Sequence, residues 1–161
     1  MEKDFRSRKT LRLKDFDYGS KSYAYFVTLC TANRQPYFSD ARMAGIIEKE
    51  IEFRRVKKEI QIYSYCLMPD HLHLLLSLSP GFDRKLQDWV SAFKRYTAKS
   101  AYETAYETAG IKPLWQKNFY DRIASDEESL IEIAKYIVQN PVRRGIVSNW
   151  ETYPYCRIFD Q

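Results

Sequence analysis

The sequence predicts an α+β fold in which helices pack against an antiparallel sheet. Two patterns alternate along the chain: short runs rich in aromatic and β-branched residues, which indicate strands, and longer runs with apolar residues at helical spacing. The 161 residues suffice for one domain with a hydrophobic core and are too few to predict two. We therefore expect a single domain over residues 1–161, with residues 1–20 forming a basic N-terminal arm without periodicity.

The first half of the chain predicts a strand followed by a helix. Residues 22–31, SYAYFVTLCT, are aromatic and β-branched and predict the first strand. Asp40 is a residue type that caps helices, and the following run, ARMAGIIEKEIEFRRVKK, places Met43, Ile47 and Ile51 at helical intervals. The basic end of this run complements the negative end of the helix dipole.

Two further strands follow as a hairpin. Residues 60–68, IQIYSYCLM, and residues 71–78, HLHLLLSL, are apolar runs separated only by Pro69 and Asp70, which are turn-forming residues. We expect these strands to pair as neighbours in the sheet.

The second half predicts helix, strand and helix. Beyond Gly81, apolar residues from Leu86 to Thr97 mark one face of a long helix. Residues 114–124 predict a strand or extended segment. Ser125–Asp126 then caps a helix that runs to Asn140 and is stopped by Pro141. The predicted order is β-α-β-β-α-β-α, in which the βαββαβ part is typical of the ferredoxin-like fold and the last helix is an addition to it.

Composition restricts the class of protein. No apolar run approaches the ~20 residues of a membrane-spanning helix, and the charged N-terminus does not resemble a signal peptide. The three cysteines are odd in number and form no CxxC pair, which predicts neither a disulfide framework nor a zinc site. We therefore expect a cytoplasmic protein without a membrane partner. The net charge of +5 and the 13 tyrosines favour a nucleic acid as partner, although aromatic residues also fill cores.

The only two histidines of the chain, His71 and His73, lie in one predicted strand. Side chains two residues apart on a strand point to the same face, with Cα atoms roughly 6.5–7 Å apart. Both imidazoles can therefore reach one metal ion, or each can simply be a hydrogen-bonded residue on a half-buried face. Without a third histidine, a cupin site and a closed zinc site are both disfavoured. An open site with room for a substrate oxygen remains.

The last predicted helix offers a tyrosine and an amide. Tyr136 and Asn140 are four residues apart, so a continuous helix would place them one above the other on one face. The alternative is that Tyr136 packs at the margin of the core and Asn140 merely precedes a proline. Tyr120 is a rival nucleophile.

Five segments in order resemble the HUH single-tyrosine transposases, and most closely the branch associated with repetitive extragenic palindromes (REP). The segments are YFVTLCTANR, MPDHLHLLL, FKRYTAKS, LWQKNFYDR and YIVQNPVRRGIV. The resemblance implies that His71, His73 and Asn140 are ligands of Mg²⁺ or Mn²⁺, with Gln139 as the substitute for Asn140. It also implies that Tyr136 is the nucleophile.

The resemblance further implies an enzyme that cleaves and rejoins single-stranded DNA, and hence DNA transposition, through a 5′-phosphotyrosine. The implied partner is single-stranded DNA with a hairpin, and the protein would be a monomer or a homodimer. Besides the basic arm, the side chains expected to bind DNA are Lys94, Arg95, Lys99, Trp115, Gln116, Lys117, Arg122, Arg143 and Arg144. The sequence leaves two roles for the Trp115 ring: it can stack on unpaired bases or pack in the core.

Three other functions remain open from the sequence. One is a hairpin-binding module of the same fold without turnover. Another is an RNA-binding domain, which the missing glycine-bearing RNP pattern disfavours. The third is a small metal-dependent oxidoreductase, disfavoured by the absence of a third histidine.

Overall fold

The computed structural model describes residues 23–104, 113–124 and 126–159. The predicted basic arm at residues 1–20 and the predicted capping residue Ser125 lie outside the described residues. The elements are β1 (Ala24–Cys30), α1 (Ala41–Val56), β2 (Ile60–Met68), β3 (His71–Leu78), α2 (Leu86–Thr104), β4 (Tyr120–Ala124), α3 (Glu127–Val138), α4 (Asn140–Arg143) and β5 (Cys156–Ile158). Short 3₁₀ turns lie at Ala32–Arg34, Tyr37–Ser39 and Trp150–Thr152.

The five strands form one sheet in the order β4-β1-β3-β2-β5, and every neighbouring pair is antiparallel. The first four strands have the ferredoxin-like order, which confirms the predicted fold class. The fifth strand was not predicted, because three residues are too few to show an alternating pattern. No helix in the described part of the chain is both long enough and apolar enough to cross a bilayer.

Helices cover both faces of the sheet, and alternation along the strands divides the core into two layers. Leu72, Leu74 and Leu76 of β3 belong to the layer under α1 and α2, whereas Leu75 belongs to the layer under α3. Because side chains two apart share a face, the two histidines of β3 lie on the α3 side with Leu75. The sheet therefore presents its histidines beneath the last long helix.

The ends of the helices follow local capping chemistry. Asp40 caps α1 as predicted, since its carboxylate accepts a hydrogen bond of 2.8 Å from the Arg42 amide. Asp126 caps α3 in the same way through the Ser129 amide. The predicted helix to Asn140 is too long, because α3 ends at Val138 and Asn140 begins the separate short helix α4. Pro141 lacks an amide proton and interrupts the helical ladder there.

One further prediction has narrower bounds in the structure, and another is wrong. The strand or extended segment predicted over residues 114–124 is confirmed as a strand over Tyr120–Ala124, while Trp115 makes an isolated bridge with Thr31. Cys66 and Cys156 form a disulfide, contrary to the prediction from cysteine number. They face each other in the register of β2 and β5, a pairing that required knowledge of the unpredicted fifth strand. Cys30 is buried with a free thiol.

A buried ion pair joins α1 to the core of the α1–α2 layer. The guanidinium of Arg54 lies 2.6 Å from the Glu50 carboxylate and 3.0 Å from that of Glu59. It also lies 5.7 Å from the centroid of the Trp89 ring. The Glu50 side chain is only 3% exposed, and desolvation raises the pKa of its carboxyl.

We expect Arg54→Ala to lower the free energy of unfolding by about 3–5 kcal/mol, because it leaves the buried Glu50 carboxylate unpaired. Denaturant unfolding monitored by circular dichroism measures this. The matched control is Arg55→Ala, which breaks the solvent-exposed pair between Arg55 and Glu52 on the same helix. Water screens that pair, so we expect a much smaller effect. Equal losses in the two variants would contradict the role assigned to the buried pair.

Candidate functional site

A cleft of about 740 Å³ lies on the α3 side of the sheet, where β1 ends and β3 and β4 begin. The sheet forms its floor, and the residues at the end of α3 and in α4 form one wall. Its lining contains titratable, amide and guanidinium side chains. These are Thr28, Cys30, Arg34, His71, His73, Gln116, Tyr120, Tyr136, Asn140, Arg143 and Arg144.

The two histidines lie side by side on the floor of the cleft. Their ring centroids are 4.6 Å apart, with His71 buried and His73 half-buried. Strand register places Thr28 of β1 opposite His73, and its hydroxyl lies 2.8 Å from His73 Nδ1. His71 Nδ1 lies 2.6 Å from a carboxylate oxygen of Asp70, in the tight turn before β3. The outer nitrogen of each ring, Nε2, is thus left for another partner.

The surroundings keep both imidazoles neutral. Burial lowers the pKa of His71, outweighing the opposing effect of Asp70. Burial and then the neighbouring His71 lower the pKa of His73 well below its usual range. Each ring therefore keeps one unprotonated nitrogen at neutral pH, which is the form that binds metal ions.

Asn140 closes the cleft from the α4 side. Its buried amide nitrogen lies 3.0 Å from His71 Nε2. The break between α3 and α4 sets this position. Gln139, the substitute predicted from the sequence, caps the C-terminus of α3 and is not among the residues that line the cleft. Of the two amides, the structure brings only that of Asn140 to the histidines.

Tyr136 of α3 lines the same cleft. Its ring meets that of Phe26 edge to face, with centroids 6.2 Å apart. The guanidinium of Arg143 stacks on the tyrosine ring, 3.9 Å from its centroid, and donates a hydrogen bond of 2.8 Å to the Tyr136 carbonyl. Arg143 and Phe26 thus hold the ring at the cleft wall. Tyr120, the rival predicted from the sequence, also lines the cleft.

The donor set fits a divalent cation. Two neutral imidazoles and a carboxamide meet in one polar cleft, and imidazole nitrogen with amide oxygen suits several divalent metals. Within residues 23–104, 113–124 and 126–159, no three His, Cys, Asp or Glu side chains gather into a metal-binding group. Asn140 is the carboxamide that lies within hydrogen-bond distance of this histidine pair.

The side chains predicted to bind DNA divide into three groups. Arg143, Arg144 and Gln116 line the cleft. A second group is exposed outside the cleft lining: Arg95, Lys99, Lys117 and Arg122. Of these, Arg95 and Lys99 lie on α2, which packs on the sheet face opposite α3. The third group, Lys94 and Trp115, is engaged within the protein.

For Lys94 and Trp115 the structure changes the interpretation. The Lys94 ammonium donates to the carbonyls of Gln116, Lys117 and Asn118 at 2.9, 3.4 and 3.0 Å. It therefore holds a loop beside the cleft, a structural role that the sequence did not predict. Trp115 is 6% exposed and donates its indole N–H to Thr97, so it fills the core rather than offering a stacking surface.

Sequence reasoning did not select several residues of the site. Thr28 and Cys30 come to the cleft through β1–β3 register, and Arg34 comes from the turn after β1. Arg34 donates to Asp70 at 3.2 Å and to the Cys30 sulfur at 2.8 Å. Asp70 could have been selected from the sequence, because it directly precedes His71. Thr28 and Cys30 could not, because a single sequence does not show which residues pair across strands.

Comparisons with known proteins agree with this architecture. A protein of Haemophilus influenzae without an assigned function is 25% identical over 84% of this chain and 88% of its own length. A REP-associated tyrosine transposase of Escherichia coli K12 is 22% identical, covering 86% of this chain and 78% of its own. A solved structure of a REP-associated tyrosine transposase bound to a REP hairpin shares the fold. Its TM-score is 0.72 at 19% identity, over 91% of this chain and 82% of that one.

The family assignment comes from the match over most of the chain. The model of the family described as "Transposase IS200 like" matches residues 20–140. Together with these relatives, the match confirms the resemblance predicted from the five motifs. The chain belongs to the family of IS200-like transposases.

Proposed function

We propose that this protein cleaves and rejoins single-stranded DNA beside hairpins, with Tyr136 as the nucleophile. One observation carries the proposal: the only two histidines of the chain, the tyrosine and an amide line one cleft that also contains three arginines. Family membership supports a DNA-cleaving transposase. The likeness to a transposase bound to a REP hairpin supports hairpin DNA as the substrate.

The proposed reaction is a transesterification. The phenolic oxygen of Tyr136 forms a bond to the scissile phosphorus while the bond from phosphorus to the 3′ oxygen breaks. The phenol proton passes to solvent, and the 3′ oxygen takes up a proton, leaving a 5′-phosphotyrosine and a free 3′-hydroxyl. One phosphodiester replaces another, so attack by a 3′-hydroxyl on the adduct rejoins DNA without ATP.

Residues of the cleft would hold the reacting groups. His71, His73 and Asn140 would bind Mg²⁺ or Mn²⁺, which would polarise a non-bridging phosphate oxygen and stabilise the charge of the transition state. Arg34, Arg143 and Arg144 lie in the same cleft and would attract the phosphate backbone. Phe26 and Arg143 restrict the Tyr136 ring, which limits the orientations that it can adopt before attack.

A cleavage assay tests the proposal. Labelled single-stranded hairpin oligonucleotides with flanking sequence are incubated with the protein, with and without Mn²⁺. We expect a cleaved product and a protein–DNA adduct that survives a denaturing gel, both only when the cation is present. A fully duplex oligonucleotide of the same sequence is the control and should remain intact.

Two outcomes would contradict the proposal. Hairpin binding without cleavage under every divalent cation would favour the non-catalytic binding module. Cleavage that persists undiminished in excess chelator would contradict the assignment of a metal site to the two histidines.

A further inference from the structure

Asp70 connects the histidine floor of the cleft to one of its arginines. One oxygen of the carboxylate lies 2.6 Å from His71 Nδ1, and the other lies 3.2 Å from Arg34 Nε. Asp70 does not itself line the cleft, but its carboxylate contacts two residues that do, His71 and Arg34.

We propose that Asp70 is a positioning residue that fixes His71 in the tautomer with Nε2 unprotonated, and that Arg34 holds Asp70 in place for this task. This inference rests on the proposed function in one respect, namely that His71 binds a divalent cation. The tautomer itself is a property of the protein without DNA or metal.

The chemistry of the two partners decides which nitrogen carries the proton. An ionised carboxylate can only accept hydrogen bonds, so a contact of 2.6 Å requires the proton on His71 Nδ1. In a neutral ring the lone pair is then on Nε2, which faces the Asn140 amide nitrogen at 3.0 Å. The two contacts of His71 therefore agree on one tautomer. A carboxylate behind a metal-binding imidazole also raises its basicity as a ligand.

The backbone around Asp70 and Arg34 is firmly held. The Asp70 carbonyl accepts hydrogen bonds of 3.0 Å from both the amide and the hydroxyl of Thr31. Asn33 and Arg34 have φ angles of 52° and 54°, in the left-handed region that residues with a Cβ rarely adopt. Such conformations persist only where neighbouring contacts impose them, and the turn uses them to bring Arg34 to Asp70 and Cys30.

His73 provides an internal comparison. Its Nδ1 meets the hydroxyl of Thr28, which can either donate or accept a hydrogen bond. Thr28 therefore does not impose a tautomer, whereas Asp70 does. With only two histidines in the chain, the two behaviours can be read from one spectrum.

The first experiment is a long-range ¹H–¹⁵N spectrum of the metal-free protein above the pKa of both rings. We expect His71 to show a protonated Nδ1 and an unprotonated Nε2. In Asp70→Ala the proton should distribute over both nitrogens of His71, and Asp70→Glu should restore the original pattern at least in part. Arg34→Ala should shift His71 in the same direction by a smaller amount.

The second experiment measures Mn²⁺ binding by electron paramagnetic resonance without DNA. We expect Asp70→Ala to weaken binding about 10–100-fold, and Asp70→Asn to fall between it and the wild type. Asp83→Ala is the matched control, because it removes one exposed carboxylate beyond the opposite end of β3 and should leave Mn²⁺ affinity unchanged.

The outcomes separate this inference from the proposed function. An unchanged His71 tautomer in folded Asp70→Ala overturns the inference. If the wild type binds Mn²⁺, a loss of Mn²⁺ affinity in Asp70→Ala no larger than that in Asp83→Ala also overturns it. A fixed tautomer that Asp70→Ala releases supports it. If the wild type showed this tautomer but bound no Mn²⁺, the positioning role would stand and the metal-dependent function would fail.

Discussion

Tyr136→Phe should abolish the covalent protein–DNA adduct and lower cleavage by at least about a thousandfold, because it removes the only atom of this side chain that can attack phosphorus. The phenylalanine ring keeps the packing against Phe26 and the stacking beneath Arg143. We therefore expect the fold and the affinity for hairpin DNA to be retained. A denaturing gel of radiolabelled oligonucleotide detects the adduct, and a gel-shift assay measures binding.

The chain offers a matched control for this variant. Tyr120 lines the same cleft but comes from β4, where it pairs with Thr28 across the sheet. We expect Tyr120→Phe to retain the adduct. An adduct that persists in Tyr136→Phe and disappears in Tyr120→Phe would reassign the nucleophile to Tyr120. This would replace the role of Tyr136 while leaving the family assignment untouched.

His73→Ala and His71→Ala should each abolish metal-dependent cleavage, since each removes one of the two imidazoles that line the cleft. We expect Mn²⁺ affinity to fall by more than about 100-fold, a larger effect than that expected for Asp70→Ala, which leaves both imidazoles in place. Isothermal titration calorimetry with Mn²⁺ and the cleavage assay measure the two effects. Hairpin binding should persist, because the arginines of the cleft remain.

Amides at the end of α3 provide the control for the metal site. Asn140→Ala should weaken Mn²⁺ binding, because the Asn140 amide lies against His71. Gln139→Ala should not, because this residue caps α3 away from the cleft lining. The reverse result would restore Gln139 as the ligand, and full cleavage by both histidine variants would remove the metal site from the mechanism.

Local periodicity explains why most of the fold was predictable. The strands at 60–68 and 71–78 match their predicted bounds. Two short apolar runs joined by a Pro-Asp turn favour a β-hairpin, and the turn residues mark where each strand ends. Alternation along β3 also gave the correct face for the leucines and the shared face of the two histidines. The end of α3 was predicted two residues too late. A proline disfavours helical conformation in the residue before it, but it fixes the end of a helix only to within one or two residues.

The sequence by itself determined the order of the elements from β1 to α3, the shared strand face of the two histidines and the family. These features depend on spacing along the chain, which a single sequence contains in full. Only the tertiary structure decided which residues meet across strands and helices: Thr28 with His73, Asn140 with His71, Cys66 with Cys156 and Lys94 with the loop beside the cleft. Such contacts depend on sheet register and on helix direction after a break, and neither has a local signal in the chain.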